Sequence, residues 1–115
     1  MLFNLNTFTL TAAPVTVKEG LEILERDNYR CRYCGLDGNA NFENALAMSV
    51  DFVMPRARKG KKDPANLVAC CRTCNTIKGK KVYKNFEDAK AHVLARRAEL
   101  RKTWEEKGRQ RAGKS

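Results

Sequence analysis

Apolar positions along the chain fall into helical and strand periods that alternate. Over residues 17–27, Leu21, Ile23 and Leu24, with Val17 a turn earlier, give an apolar stripe at helical spacing. Thr16 and Glu19 stand at capping-box spacing at its start. Over residues 47–54, Met48, Val50, Phe52 and Met54 alternate with Ser49, Asp51 and Val53, the period of a strand. A second short strand is expected over residues 67–69, followed by a short helix that Gly79 ends. Asn85 and Asp88 then resemble a further cap, opening the longest helix over residues 86–107. Its Phe86, Ala89, Val93, Leu100 and Trp104 share one face, which Arg97 interrupts. Pro14 ends an apolar, threonine-rich opening that reads as a short strand or an arm packed on the body. The expected class is α+β: an arm over residues 1–15, a body over 16–84, a helix packed on it over 85–108, and a basic, frayed tail over 109–115.

A chain of 115 residues is one domain whose core is small, so a metal or disulfide staple is expected. The five cysteines supply one. Cys31/Cys34 and Cys71/Cys74 are CxxC pairs, and the turn-rich residues 35–41 suit a knuckle. Two sulfurs at this spacing reach one tetrahedral zinc, and two knuckles close its shell. A disulfide pair is the alternative. Cys70 lies beside Cys71, but strand alternation points the two to opposite sides, so it reads as a buried apolar thiol. The first ten residues lack a basic run and break their apolar stretch with Asn4, Asn6 and Thr7, so neither a secretory leader nor a membrane span is expected. Cysteine pairs without a leader point to a reducing, cytoplasmic setting and to metal rather than disulfides.

The formal net charge of +10 is clustered over residues 56–62, 78–84 and 96–111, which favours a polyanionic partner. Arg56, Arg58, Lys59, Lys61 and Lys62 surround Gly60 in one loop that suits phosphate contact, and Lys78, Lys80 and Lys81 would extend the same face. A solvated loop without a partner is the alternative. No aromatic residue interleaves this loop, which favours duplex or structured nucleic acid over single strands.

Taken in order, Cys31-Arg32-Tyr33-Cys34-Gly35, Val50-Asp51-x-Val53-x-Pro55-Arg56, Asn66-Leu67-Val68 and Cys71-Arg72-Thr73-Cys74-Asn75-x-x-Lys78-Gly79 resemble the HNH endonuclease family. The resemblance spans residues 27–81. It implies a ββα-metal finger stapled by zinc, with an N-terminal helix and a long C-terminal helix outside it. It further implies that Asp51 and Asn75 hold a catalytic divalent cation such as Mg²⁺, and that Asn66 ties the loop by hydrogen bonds. The implied partner is DNA, or RNA, and the implied activity is metal-dependent hydrolysis of phosphodiester bonds. A hard cation with two protein oxygen ligands suits such chemistry.

The resemblance breaks at one position. Directly after Asp51 the family carries a histidine, the general base, and this chain carries Phe52. A phenyl ring accepts no proton, and a missing general base typically costs about 10²–10⁴ in rate. His92 on the long helix and Glu43 upstream of the strand are the candidate substitutes; Phe52 as a packing residue is the simpler reading. Three functions therefore follow: an HNH-type endonuclease with reduced or rewired catalysis, a catalytically degenerate nucleic-acid-binding module, or a zinc-stabilised protein-interaction domain.

Overall fold

The structure, a computed structural model, describes residues 14–113, so the expected N-terminal arm, apart from Pro14 and Val15, lies outside the described residues. The first helix, α1 (Val17–Arg26), opens on a complete capping box. The Glu19 N–H donates to Thr16 Oγ1 at 3.2 Å, and the Thr16 N–H donates to Glu19 Oε1 at 3.0 Å. Gly20, Ile23 and Leu24 face the body, whereas Val17 and Leu21, expected in the buried stripe, are exposed. Leu21 lies about 200° from Ile23 around a helix, so one of the two had to face water.

Two successive left-handed residues, Asn28 (φ 56°) and Tyr29 (φ 53°), turn the chain from α1 into the first cysteine knuckle. The knuckle is a small hairpin in which the Cys31 N–H donates to the Leu36 carbonyl and Gly38 to that of Tyr29. Gly38 has no room for a side chain: a Cβ there would stand 2.7 Å from the Tyr29 carbonyl oxygen. A short helix, α2 (Phe42–Ala47), follows, capped by Asn41, whose side chain accepts the Asn44 N–H. Sequence periodicity gave no sign of it, because none of its residues is buried.

Strands β1 (Met48–Phe52) and β2 (Leu67–Cys71) form an antiparallel pair in which Asp51 faces Val68 and Phe52 faces Leu67. All five β2 residues are buried. The outer edge of β2 is closed by side chains rather than by a third strand. Asp27 Oδ2 accepts the Ala69 N–H at 2.9 Å, and Arg26 donates to the Leu67 carbonyl at 2.6 Å. The Arg32 N–H donates to the Ala69 carbonyl. No unpaired edge is left there to recruit another strand.

Helix α3 (Arg72–Lys78) starts directly on Cys71 and stops at Gly79, which takes a positive φ of 65°. Helix α4 (Phe86–Ala112) opens on Asn85, whose side chain accepts the Asp88 N–H. It runs past the expected end at residue 107, because Arg, Gln, Lys and Ala dominate residues 107–112 and all form helix well. Only Ala89 and Val93 of α4 are buried, and both belong to the main cluster with Tyr33, Cys70, Cys71 and Cys74. The fold is thus α+β: a two-stranded sheet flanked by helices, with one long helix running beyond the body. No helix among the described residues is long and apolar enough to cross a membrane.

Candidate functional site

The four CxxC sulfurs converge. Cys31 and Cys34 come from the knuckle, Cys71 from the end of β2 and Cys74 from the first turn of α3, and their Sγ atoms all lie within 4.8 Å of one another. The Cys34–Cys71 separation is 3.8 Å. A tetrahedral site with metal–sulfur bonds of about 2.3 Å has edges close to this length. Thiol-to-thiol hydrogen bonds polarise the set: donation from Cys71 and Cys74 holds the Cys31 thiol far below its ordinary range, while Cys71 and Cys74 are pushed up. Four soft donors at these separations fit a structural metal with no open position. Cys70 is fully buried beside Ser49, outside the cluster, and burial pushes its thiol up.

Arg97 reaches this centre from α4, with Nη1 3.6 Å from Cys74 Sγ. The residue that breaks the apolar face of the helix therefore does so to meet a sulfur. Burial alone would lower its pKa, but the surrounding cysteines raise it. Such outer partners orient ligands and offset the charge of a thiolate set.

A second cluster centres on Asp51 of β1. The Asp51 carboxylate is buried, with Oδ2 accepting the Tyr33 hydroxyl at 2.6 Å and Oδ1 3.5 Å from the Lys78 ammonium. Lys78 also donates to the Phe52 carbonyl at 3.0 Å. Burial raises the Asp51 pKa, opposed by the Tyr33 hydrogen bond and the Lys78 charge. Burial next to this carboxylate likewise raises Tyr33. Asp51 and Asn75 line one open pocket of about 260 Å³, together with Phe52, Pro55, Arg56 and Lys80.

Residues 31–81 match the sequence model of the HNH endonuclease family. Over these residues the chain is similar to an HNH domain. No curated protein and no solved structure matches the chain. The matched residues hold all four clustered cysteines, both strands and α3, and the family points to a function connected with nucleic acid.

Within the matched segment, Phe52 stands where the resemblance places the histidine. Its ring packs with Val50 against Val15, Ile23 and Leu67, and the Arg56 guanidinium lies 5.9 Å over it. Neither suggested substitute lines the pocket: Glu43 sits on α2, and His92 stacks on Tyr83 with centroids 5.4 Å apart. Asn66 ties the loop from β1 to β2. Its Oδ1 accepts the Met54 N–H at 2.7 Å, and its Nδ2 donates to the Met54 carbonyl at 3.1 Å and the Lys61 carbonyl at 3.0 Å. One carboxylate and one amide oxygen beside an open pocket are donors of the kind a hard divalent cation takes, although the Lys78 ammonium already shares that carboxylate.

The expected basic face is changed in two places. Lys78 is 2 % exposed and turned inward, because Asp51 needs a buried counter-charge at that spot. Lys62 is half-buried and spends its charge on Glu19, 2.9 Å away. Arg56, Arg58, Lys59, Lys61, Lys80 and Lys81 remain at the surface. Arg58 donates to the Lys80 carbonyl at 3.4 Å, drawing the loop and the end of α3 together beside the pocket. Tyr33 is a site residue that the sequence does not signal. The position between two knuckle cysteines carried no signal that its hydroxyl would meet Asp51.

Proposed function

We propose that the chain is an HNH-type endonuclease that binds DNA across the pocket between β1 and α3 and hydrolyses it slowly, with zinc in the cysteine centre. The observation that carries this reading is the shared pocket: Asp51 and Asn75 line it together, with Arg56 and Lys80 at its side. Asp51 and Asn75 would hold a divalent cation such as Mg²⁺. When bound, that cation supplies charge stabilisation at the scissile phosphate and the departing oxyanion. Arg56, Arg58 and the neighbouring lysines position the phosphate backbone and exclude no base sequence. Tyr33 and Lys78 hold the Asp51 carboxylate in place. Phe52 supplies no proton acceptor, so the attacking water lacks a positioned base, which slows the reaction by about 10²–10⁴. Residues 16–84 form the working unit, α4 buttresses it, and the reduced thiols suit a cytoplasmic setting.

A binding module without cleavage is the second reading, favoured by a separate observation. Both Asp51 oxygens already face partners, and no imidazole lines the pocket. Plasmid nicking in Mg²⁺ or Mn²⁺ separates the two. Weak nicking that disappears in Asp51→Ala supports the nuclease; retarded DNA that stays intact under every metal supports the binding module. Phe52→His is expected to raise cleavage by at least tenfold if the remaining site is competent. If neither the parent nor that variant cuts, Asp51 and Asn75 do not hold a working cation. Metal analysis should return one zinc per chain.

A further inference from the structure

The C-terminal half of α4 is without support from the body, yet its composition is not that of an idle helix end. Burial stops at Val93, but the helix continues to Ala112. Leu100 and Trp104 are 44 % and 64 % exposed, and with Ile77 and Thr73 of α3 they line a groove of about 560 Å³ flanked by Arg97 and Arg101. Helical spacing continues this side through Lys107 and Arg111, and no acidic residue shares it. Glu105, one step round the helix, is held by Arg101 at 3.0 Å.

Gly108 adds to the pattern. A side chain one turn after Trp104 would lean back over the indole, since helical side chains tilt towards the N-terminus. Glycine there leaves that flank of the ring bare, at the cost of about 1 kcal/mol of helix propensity. A Cβ at Gly108 would meet only an Arg111 nitrogen, at 3.7 Å, so packing does not explain the glycine.

We propose that this groove is a second nucleic-acid site, in which one unpaired base stacks on Trp104 and the adjoining phosphates follow Arg101, Lys107 and Arg111. The proposal rests on the nucleic-acid reading of the HNH domain and adds to it a specific ligand form, a single-stranded segment. An exposed indole among cations, beside apolar Leu100 and Ile77, is a stacking platform that tolerates any base. Charge decides for an anionic partner over an apolar one, because Arg97 and Arg101 border the groove and Lys107 and Arg111 follow on the same side by helical spacing. The two sites lie on opposite sides of α3: Thr73 and Ile77 face the groove, while Asn75 and Gly79 face the pocket. A path round half of a helix about 10–12 Å across is about 16–19 Å, close to five steps of a strand at about 3.4 Å each, so one nucleic acid can reach both.

Trp104 is the only tryptophan in the chain, so its emission reports on this groove alone. The full chain is titrated with a labelled single-stranded oligonucleotide at low salt, reading label anisotropy and tryptophan emission together. The expected result is quenching that tracks anisotropy. Trp104→Ala should weaken single-strand binding about 5- to 150-fold while leaving duplex binding and metal content nearly unchanged, and Trp104→Phe should keep most of the affinity. Binding with unchanged emission, or Trp104→Ala binding like the parent, overturns this site and leaves the HNH reading intact. No anisotropy change with either single strand or duplex sinks both. Emission that depends on protein concentration alone gives the groove to a second copy, and shielding from acrylamide in the free protein gives it to another part of the chain; each overturns the proposal.

Discussion

Lys78 and Asp51 are a buried pair whose value lies in compensation. The two side chains are 1 % and 5 % exposed, and Tyr33 completes the set. Removing one charge strands the other in a medium that solvates it poorly. Lys78→Met is therefore expected to cost about 3–5 kcal/mol in denaturant unfolding, and the double variant with Asp51→Asn to recover a large part of it. Asp27 is the opposite case, a carboxylate whose pKa is lowered. Burial would raise it, but the hydrogen bonds from Arg26 and the Ala69 N–H, with the charges of Arg26 and Arg32, outweigh burial. A depressed folded pKa contributes stability above the ordinary value of 3.8 and loses it as pH falls through the folded value. The stability gap between the parent and Asp27→Asn should accordingly be widest near neutral pH and close in acid, which a set of urea melts across pH will measure.

Among the elements, the loop joining β1 to β2 is held in shape by backbone contact. Gly60 lies against Met54, and a Cβ there would stand 1.7 Å from the Met54 carbonyl oxygen. Gly60→Ala must displace the loop, so it is expected to destabilise by about 1–3 kcal/mol and to weaken DNA binding, since Arg56, Arg58 and Lys59 ride on this segment. Calorimetry and a gel shift check the two effects. Much of this level was legible in the chain itself. The capping box of α1, the strand alternation around Asp51, the Gly79 stop and the Asn85 cap are local signals, carried by residues three or four apart. The short α2 was not legible, because an exposed helix of six residues has no apolar stripe to betray it. Leu21 and Val17 misled for a related reason: periodicity finds an apolar face but does not say which of two overlapping faces the body covers.

For the whole molecule, metal and charge act at different ranges. The cysteine centre joins the knuckle, β2 and α3, and Arg97 ties α4 to it, so a chelator should unfold more than the knuckle. The expected outcome is loss of the cooperative thermal transition, recovered on adding Zn²⁺. Six of the expected cations remain at the surface, Arg56, Arg58, Lys59, Lys61, Lys80 and Lys81, and of these Arg56 and Lys80 line the pocket. If most meet phosphates, duplex affinity should fall with a log–log salt slope of about −3 to −5. A slope near zero would leave this face without a polyanionic partner.

The sequence by itself determined the cysteine spacing, the order of strand and helix, the basic loop and the exchange of a histidine for Phe52, because each is written in neighbouring residues. Only the tertiary structure decided what those residues meet. It turned Lys78 from an expected phosphate contact into the counter-charge of Asp51, and gave the Asp51 oxygen to Tyr33 from another segment. It made Arg97, which interrupts an apolar face, a partner of Cys74. The physical reason is common to all three. A charge or a polar atom taken out of water must find its partner in space, and the partner is chosen by packing between elements far apart in the chain.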